Sequence, residues 1–221
     1  MKSLKLTFGI LLVLTVTSCV TTMPLNQQFY NTKKVGVIVQ VDSIGMAKAG
    51  EQGLLDMALT PGDRFTIGLK RVEPKLNLKE TLKNEISHIF NSKHKQFKII
   101  NENIVYEYLY QFEKPNSAKK YSKKDFMYLK SKYNVDEILH VHANYGLLVS
   151  YYGMIELDKQ GYVNIATEVV DLSDNSLLQK ISFQTVAKMN GNWKKGEDFD
   201  NLKNSIQDAI NNSIITLQAK F

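Results

Sequence analysis

The chain has 221 residues, with 28 Lys and Arg against 22 Asp and Glu (net +6), 43% hydrophobic residues, 10% aromatic residues and one cysteine. That length is one domain's worth of chain with room for a substantial core. The basic excess is too small to call for nucleic acid as a partner, and a single thiol excludes an internal disulfide framework.

In chain order, Met1 to Lys5 is a short basic segment, Leu6 to Val16 an apolar run, and Thr17-Ser18-Cys19 a small-residue exit. This three-part pattern describes an export signal, too short for the roughly 20 apolar residues that span a bilayer. Val16-Thr17-Ser18-Cys19 resembles the bacterial lipobox, an aliphatic residue and two small ones ahead of a cysteine. The resemblance implies a diacylglycerol on the Cys19 thiol, cleavage of residues 1–18 as a signal peptide and acylation of the new amine. With Val20 rather than Asp next, it also implies sorting to the outer membrane, facing the periplasm. The alternative is an ordinary signal with an incidental cysteine. One acyl chain binds a membrane marginally, and each further buried methylene adds about 0.8 kcal/mol, so two or three chains tether durably.

Removal of residues 1–18 leaves 203 residues and, with Lys2 and Lys5 gone, a net charge of +4. Residues 19–34 read as a lipidated tether and 35–221 as a single domain. Within that domain, the β-branched run at 33–42 predicts a central strand. Glycines at 45, 50, 53 and 62 predict a loop, with a short helix near Glu51 to Leu59. Residues 64–73 read equally as a short strand or an irregular link. Leu78, Leu82, Ile86, Ile89 and Phe90 recur at helical spacing over 77–90, with Asn77 and Glu80 as an N-cap signature. A strand at 96–101 and a helix at 102–112 follow; Ser122 and Asp125 suit the start of a helix carrying Phe126, Leu129 and Tyr133. Extended runs at 135–146, 147–158, 162–172 and 177–189 predict four strands, with turns at 158–162 and 173–176. A closing helix from Phe199 to about Leu217 aligns Phe199, Leu202, Ile206, Ile210, Ile214 and Leu217 on one face. The fold class is α+β: a mixed sheet with a C-terminal antiparallel meander and helices packed on one face.

The order of elements from 33 to 217 resembles the periplasmic domain shared by the curli-secretion lipoprotein and an outer-membrane activator of penicillin-binding proteins. The matching stretches are Val35-Gly-Val-Ile-Val39, the element at 133–145, and Ile165 to Lys180 with its Asp, turn and following strand. Ser173-Asp174-Asn175-Ser176 stands where that family has Thr-Gly, and the glycine-rich segment at 45–62 has no counterpart there. The resemblance implies a lipid-anchored accessory domain.

Candidate chemistry is sparse. His140 and His142 share one strand face by the period-two rule and offer two imidazoles to a metal, with Asp136 or Asn144 nearby. A hydrogen-bonded structural role is the alternative, since His88 and His94 fall elsewhere. Gly-x-Ser-x-Gly and Gly-Lys-Ser/Thr motifs are absent from the sequence, so no catalytic set and no cofactor is expected. Glu51, Asp56, Asp171 and Asp174 read as structural carboxylates. Lys114, Lys119, Lys120, Lys123 and Lys124 cluster within 12 residues, either as a solvated loop or as a contact for anionic lipid or cell-wall polymer. Tyr106, Tyr108, Tyr110, Phe112, Tyr151 and Tyr152 read as core packing or a partner-binding surface. Residues 49–59 read as an assembly element or a structural insertion. The function expected is a non-enzymatic envelope lipoprotein that binds an envelope protein or assembles with itself. A metal-binding protein or small enzyme at His140 and His142 is the alternative.

Overall fold

The computed structural model describes residues 23–31, 33–59, 63–115, 118–196 and 198–221. Cys19 and the rest of the lipobox at 16–19 lie outside the described residues. Six strands among them form one mixed sheet: β1 (Val35–Val41), β2 (Gly45–Glu51), β3 (Phe97–Ile99), β4 (Glu137–Tyr152), β5 (Ile155–Asp171) and β6 (Ser176–Lys188). The order is β3-β1-β4-β5-β6. β2 pairs with β4 on the same flank as β1, farther along its length. Val35 to Val41 run parallel to Glu137 to Ala143, and Gly45 to Glu51 run parallel to Gly146 to Tyr152. A 16-residue β4, about 50 Å long at the usual rise, thus carries two short strands in tandem.

Alternation along β4 divides the core. Leu139, Val141, Ala143, Tyr145, Leu147, Val149 and Tyr151 are buried on one face. The helices α2 (Thr66–Val72), α3 (Leu78–Ser92) and α5 (Asp200–Gln218) cover that face through Leu69, Val72, Leu82, Ile86, Phe90, Leu202, Ile206 and Ile210. The other face is covered at one end only. There Ile38, Ile138, Val170 and Leu172 meet Ile100, Ile104, Phe126, Val135 and Leu129, the last from the short helix α4 (Leu129–Tyr133). Farther along, β6 turns Ser182, Gln184, Val186 and Lys188 to solvent, as an antiparallel sheet with one wet face does.

The strand, helix and meander order matches the expected α+β class, with four local corrections. The segment 45–51, expected as a loop, is β2. The segment 64–73, undecided between strand and link, is largely α2, whose Leu69 and Val72 fall on the core. The helix expected at 102–112 is a 3-10 turn at Tyr106–Tyr108 within an irregular strap. Its backbone bonds elsewhere: Tyr106 N donates to Gln40 Oε1 (3.2 Å), and Phe112 N to the Lys123 carbonyl (2.9 Å). The turn expected at 158–162 lies inside β5. The chain reverses instead at Gly153-Met154, with Tyr152 facing Ile155 and Gly153 at φ 55°, a conformation that glycine adopts without strain. Gly161 is needed mid-strand for a different reason: a Cβ there would collide with the Ser205 carbonyl of α5, and Gly161 N donates to Ser205 Oγ (2.6 Å).

Part of the segment read as tether is also docked. Met23 bridges Lys180 on β6, and a 3-10 turn at Gln27–Tyr30 places Phe29 in the main core. A buried ion pair fastens it: Lys95 Nζ lies 2.8 Å from Glu137 Oε2, donates to the Phe29 carbonyl and sits over the Phe29 ring.

Candidate functional site

β4 turns His140 and His142 to the sheet's second face, where the covered end gives way to the open part. His140 is 4% exposed and stacks on Tyr106, with ring centroids 5.1 Å apart and planes at 13°; Phe126 lies behind at 5.9 Å. Its Nε2 is buried with no hydrogen-bond partner among the described residues. Burial holds the imidazole neutral and pushes its pKa down to about 4, against an upward pull from Glu168. Glu168 faces His140 across β5, accepts from Ser122 Oγ (3.1 Å) and pairs with Lys180. With Tyr106, His142, Ala166 and Lys180 these residues line a cleft of about 180 Å³. Burial likewise pushes the Tyr106 phenol up to about 12.

His142 is committed elsewhere, its Nε2 lying 2.9 Å from Asp42 Oδ1 in the break between β1 and β2. The two imidazole centroids stand 6.4 Å apart. No group of three or more His, Cys, Asp or Glu among the described residues is placed to hold a metal ion. Asp136, weighed as a third ligand, accepts from Lys34 N (3.2 Å).

The lysine run is not one array. Lys119 pairs with Asp174 (2.7 Å), while Lys120 and Lys123 are exposed. Lys124 points inward, against the patch assignment: its Nζ donates to the carbonyls of Glu107 (2.9 Å) and Leu109 (2.8 Å) and so holds the irregular strap down. The carboxylates have local tasks. Asp171 binds Lys33 and Ser173, and Asp56 accepts from Gly53 N (3.0 Å). Burial pushes the Asp174 carboxyl up, but hydrogen bonds from Lys119 and Ser176 outweigh it and hold the pKa at about 2.

The aromatic set divides similarly. Tyr106 covers His140, Phe112 packs on Tyr121, Tyr151 is core, and Tyr108 and Tyr110 are 86% and 87% exposed. Tyr152 belongs to a feature the sequence did not announce. Around the β4–β5 tip, Tyr152, Met154, Ile155 and Leu157 join Leu55, Met57 and Leu59 of α1 (Leu54–Leu59), all exposed. Gln52 Nε2 donates to the Gly153 carbonyl (2.9 Å) and Gly153 N to that of Glu51 (2.9 Å), tying the two parts together around a groove of about 810 Å³. Tyr152, Met154 and Ile155 line that groove, and Leu55, Met57 and Leu59 stand exposed on the helix whose Asp56 also lines it, an apolar collar open to solvent. Its one trace in the sequence is at 54–59, where five apolar residues stand around a single Asp56.

No family model and no curated protein matches the chain. Solved structures similar to it include the hypothetical protein CT253 from Chlamydia trachomatis, at 12% identity and TM-score 0.39, covering 86% of this chain and 98% of that one. Another is PelC from Paraburkholderia phytofirmans, a dodecamer, at 10% identity and TM-score 0.32, over 86% and 91%. A third is the lipoprotein GNA1162 from Neisseria meningitidis, at 12% and 0.35, over 84% and 99%. Among the described residues no helix is long and apolar enough to cross a membrane.

Proposed function

We propose that the chain is a lipoprotein of the bacterial cell envelope, acylated on Cys19, held on the outer membrane and facing the periplasm, whose domain is a non-enzymatic protein-binding or assembly module. The observation that carries the binding role is the apolar collar at the sheet tip. Met23 is fixed at Lys180, which faces Glu168, and from there to Ile155 is 13 residues of β5, about 40 Å of strand. Cys19 lies four residues before Met23, a reach of at most about 14 Å. Cys19 itself lies well short of the collar, whose exposed apolar side chains suit burial against a protein.

Crosslinking the native, lipidated protein in envelopes and recovering it tests this. A reproducible partner or a multimer crosslinked through the collar is expected, and a strict monomer without partner overturns the binding role. Cys19→Ser tests the anchor separately: the variant is expected to leave the membrane fraction, and parent-like partition overturns lipidation.

The buried, unpartnered Nε2 of His140 supports a second reading, a small ligand or metal cleft using His140 and His142. Stoichiometric metal in the purified protein, lost in both His140→Ala and His142→Ala, is what that reading requires.

A further inference from the structure

The edge of β6 carries two attachments side by side. Met23 exchanges both backbone hydrogen bonds with Lys180, at 2.9 and 3.1 Å. The strap behind Met23 is fastened by the buried Phe29, by Lys95 on the Phe29 carbonyl, and by Tyr30, whose hydroxyl donates to the Phe221 carbonyl (2.5 Å). The point at which the chain reaches the domain is thereby fixed relative to the sheet. Three residues nearer the start of β6, Leu177 N donates to the Lys120 carbonyl (2.8 Å), and Tyr121 bridges Ser176. Lys120 therefore sits about 10 Å along the same edge from Met23.

Charge on this edge is unevenly compensated. Asp174 is paired with Lys119, Asp171 with Lys33, and Glu168 with Lys180. Lys120 and Lys123 are exposed and have no ion-pair partner among the described residues; Glu113 and Asp125 flank the run, against Lys114. The surplus is positive and lies beside the chain's entry point.

We infer that the β6 edge rests on anionic lipid head groups, with Lys120 and Lys123 in contact beside the acyl anchor. This rests on the proposed acylation of Cys19. A reach of at most about 14 Å from Met23 brings the head-group plane to this edge. With this edge laid on that surface, the exposed Lys120 and Lys123 amines come within about one Debye length, about 8 Å at physiological salt, of the head groups. Each lysine at an anionic surface contributes about fivefold to partition. The opposite edge, with Lys98 on β3, is four strand spacings away, roughly 19 Å, and Lys79 is exposed on α3, which packs over β1 and β3.

The test uses the lipidated protein floated on vesicles of phosphatidylethanolamine with phosphatidylglycerol, or with phosphatidylcholine, and amine labelling read by mass spectrometry. Lys120 and Lys123 are expected to label about fivefold or more slowly on the anionic vesicles, with Lys79 and Lys98 unchanged and the protection lost in high salt. Equal labelling on both vesicles, with the protein still floating, overturns the head-group contact and leaves the anchor standing. Protection by a soluble polyanion such as dextran sulfate, but not by vesicles, overturns it in favour of a polymer ligand. A protein that floats with neither vesicle overturns the acylation, and this inference with it.

Discussion

His140 is a buried base with a ring on either side. Its ordinary pKa of 6.5 falls to about 4 in the folded chain, chiefly through burial, with Glu168 and Glu107 pulling up and His142 pushing down. The unfolded chain therefore binds more protons between pH 6.5 and 4. The contribution is fully present above pH 6.5 and is lost as the pH falls toward 4, on the order of 3 kcal/mol in all. His140→Phe keeps a ring against Tyr106 and Phe126 and removes the titration. Between pH 7 and pH 4.5 the unfolding free energy from urea titration is expected to fall about 2–3 kcal/mol less in the variant than in the parent. Parallel falls would rule this out. Lys95 and Glu137 make the complementary case. Burial pushes the Glu137 carboxyl up, against the pull of Lys95. Lys95→Met leaves that carboxylate alone in the core and is expected to cost about 3–5 kcal/mol, while Lys95→Met with Glu137→Leu recovers most of it. Denaturant titration of the two singles and the double measures the coupling. At this scale the shared face of His140 and His142 was legible from their spacing. Their partners were not, because Asp42 and Tyr106 are brought to them by pairings across many residues of chain.

Elements were legible where one period dominated. α3 and α5 each present a single apolar stripe, and β1, β6 and the part of β5 from Tyr162 onward alternate or run β-branched. β2 was illegible because Gly45-Met-Ala-Lys-Ala-Gly-Glu51 has a loop's composition; its extended form is imposed by seven residues of parallel pairing with β4. Residues 102–112 failed in the opposite sense. Apolar side chains at helical spacing are there, but aromatic and β-branched residues are weak helix formers, and Gln40 and Lys124 capture the backbone instead. Gly161 falls in the expected turn and Gly153 inside an expected strand, since a glycine that marks a turn and one that admits a helix look alike in sequence. Substitution separates them from an open position. Gly161→Ala drives a methyl into the backbone of α5 and is expected to cost at least about 2 kcal/mol. For a domain this size that lowers Tm by roughly 5 °C. Gly45→Ala meets nothing within 4 Å and is expected to stay within about 0.5 kcal/mol of the parent. Calorimetry on both decides it, and equal losses would refute the close approach of α5 to β5.

The whole molecule is polarised along its strands. The strap from Met23 and the lysines at 120 and 123 sit by the first half of β6, while the apolar collar crowns the β4–β5 tip some 40 Å of strand away. The proposed lipid attachment and the proposed partner surface therefore lie apart, so that occupancy of one would not obstruct the other. The separation makes a sharp expectation for Leu55→Asp with Ile155→Asp. Both side chains are largely exposed in the free domain, at 71% and 65%, so the double variant should fold with a stability within about 1 kcal/mol of the parent. Burying such a side chain in an interface gains about 1.5–3 kcal/mol. Each substitution should therefore weaken collar-mediated association by roughly 10-fold or more, read as loss of the crosslinked species from envelopes. Vesicle flotation, which depends on the other end, should be unchanged. Crosslinking that survives the double variant at parental strength would move the partner surface off the collar, to the open second face of the sheet or the exposed tyrosines at 108 and 110.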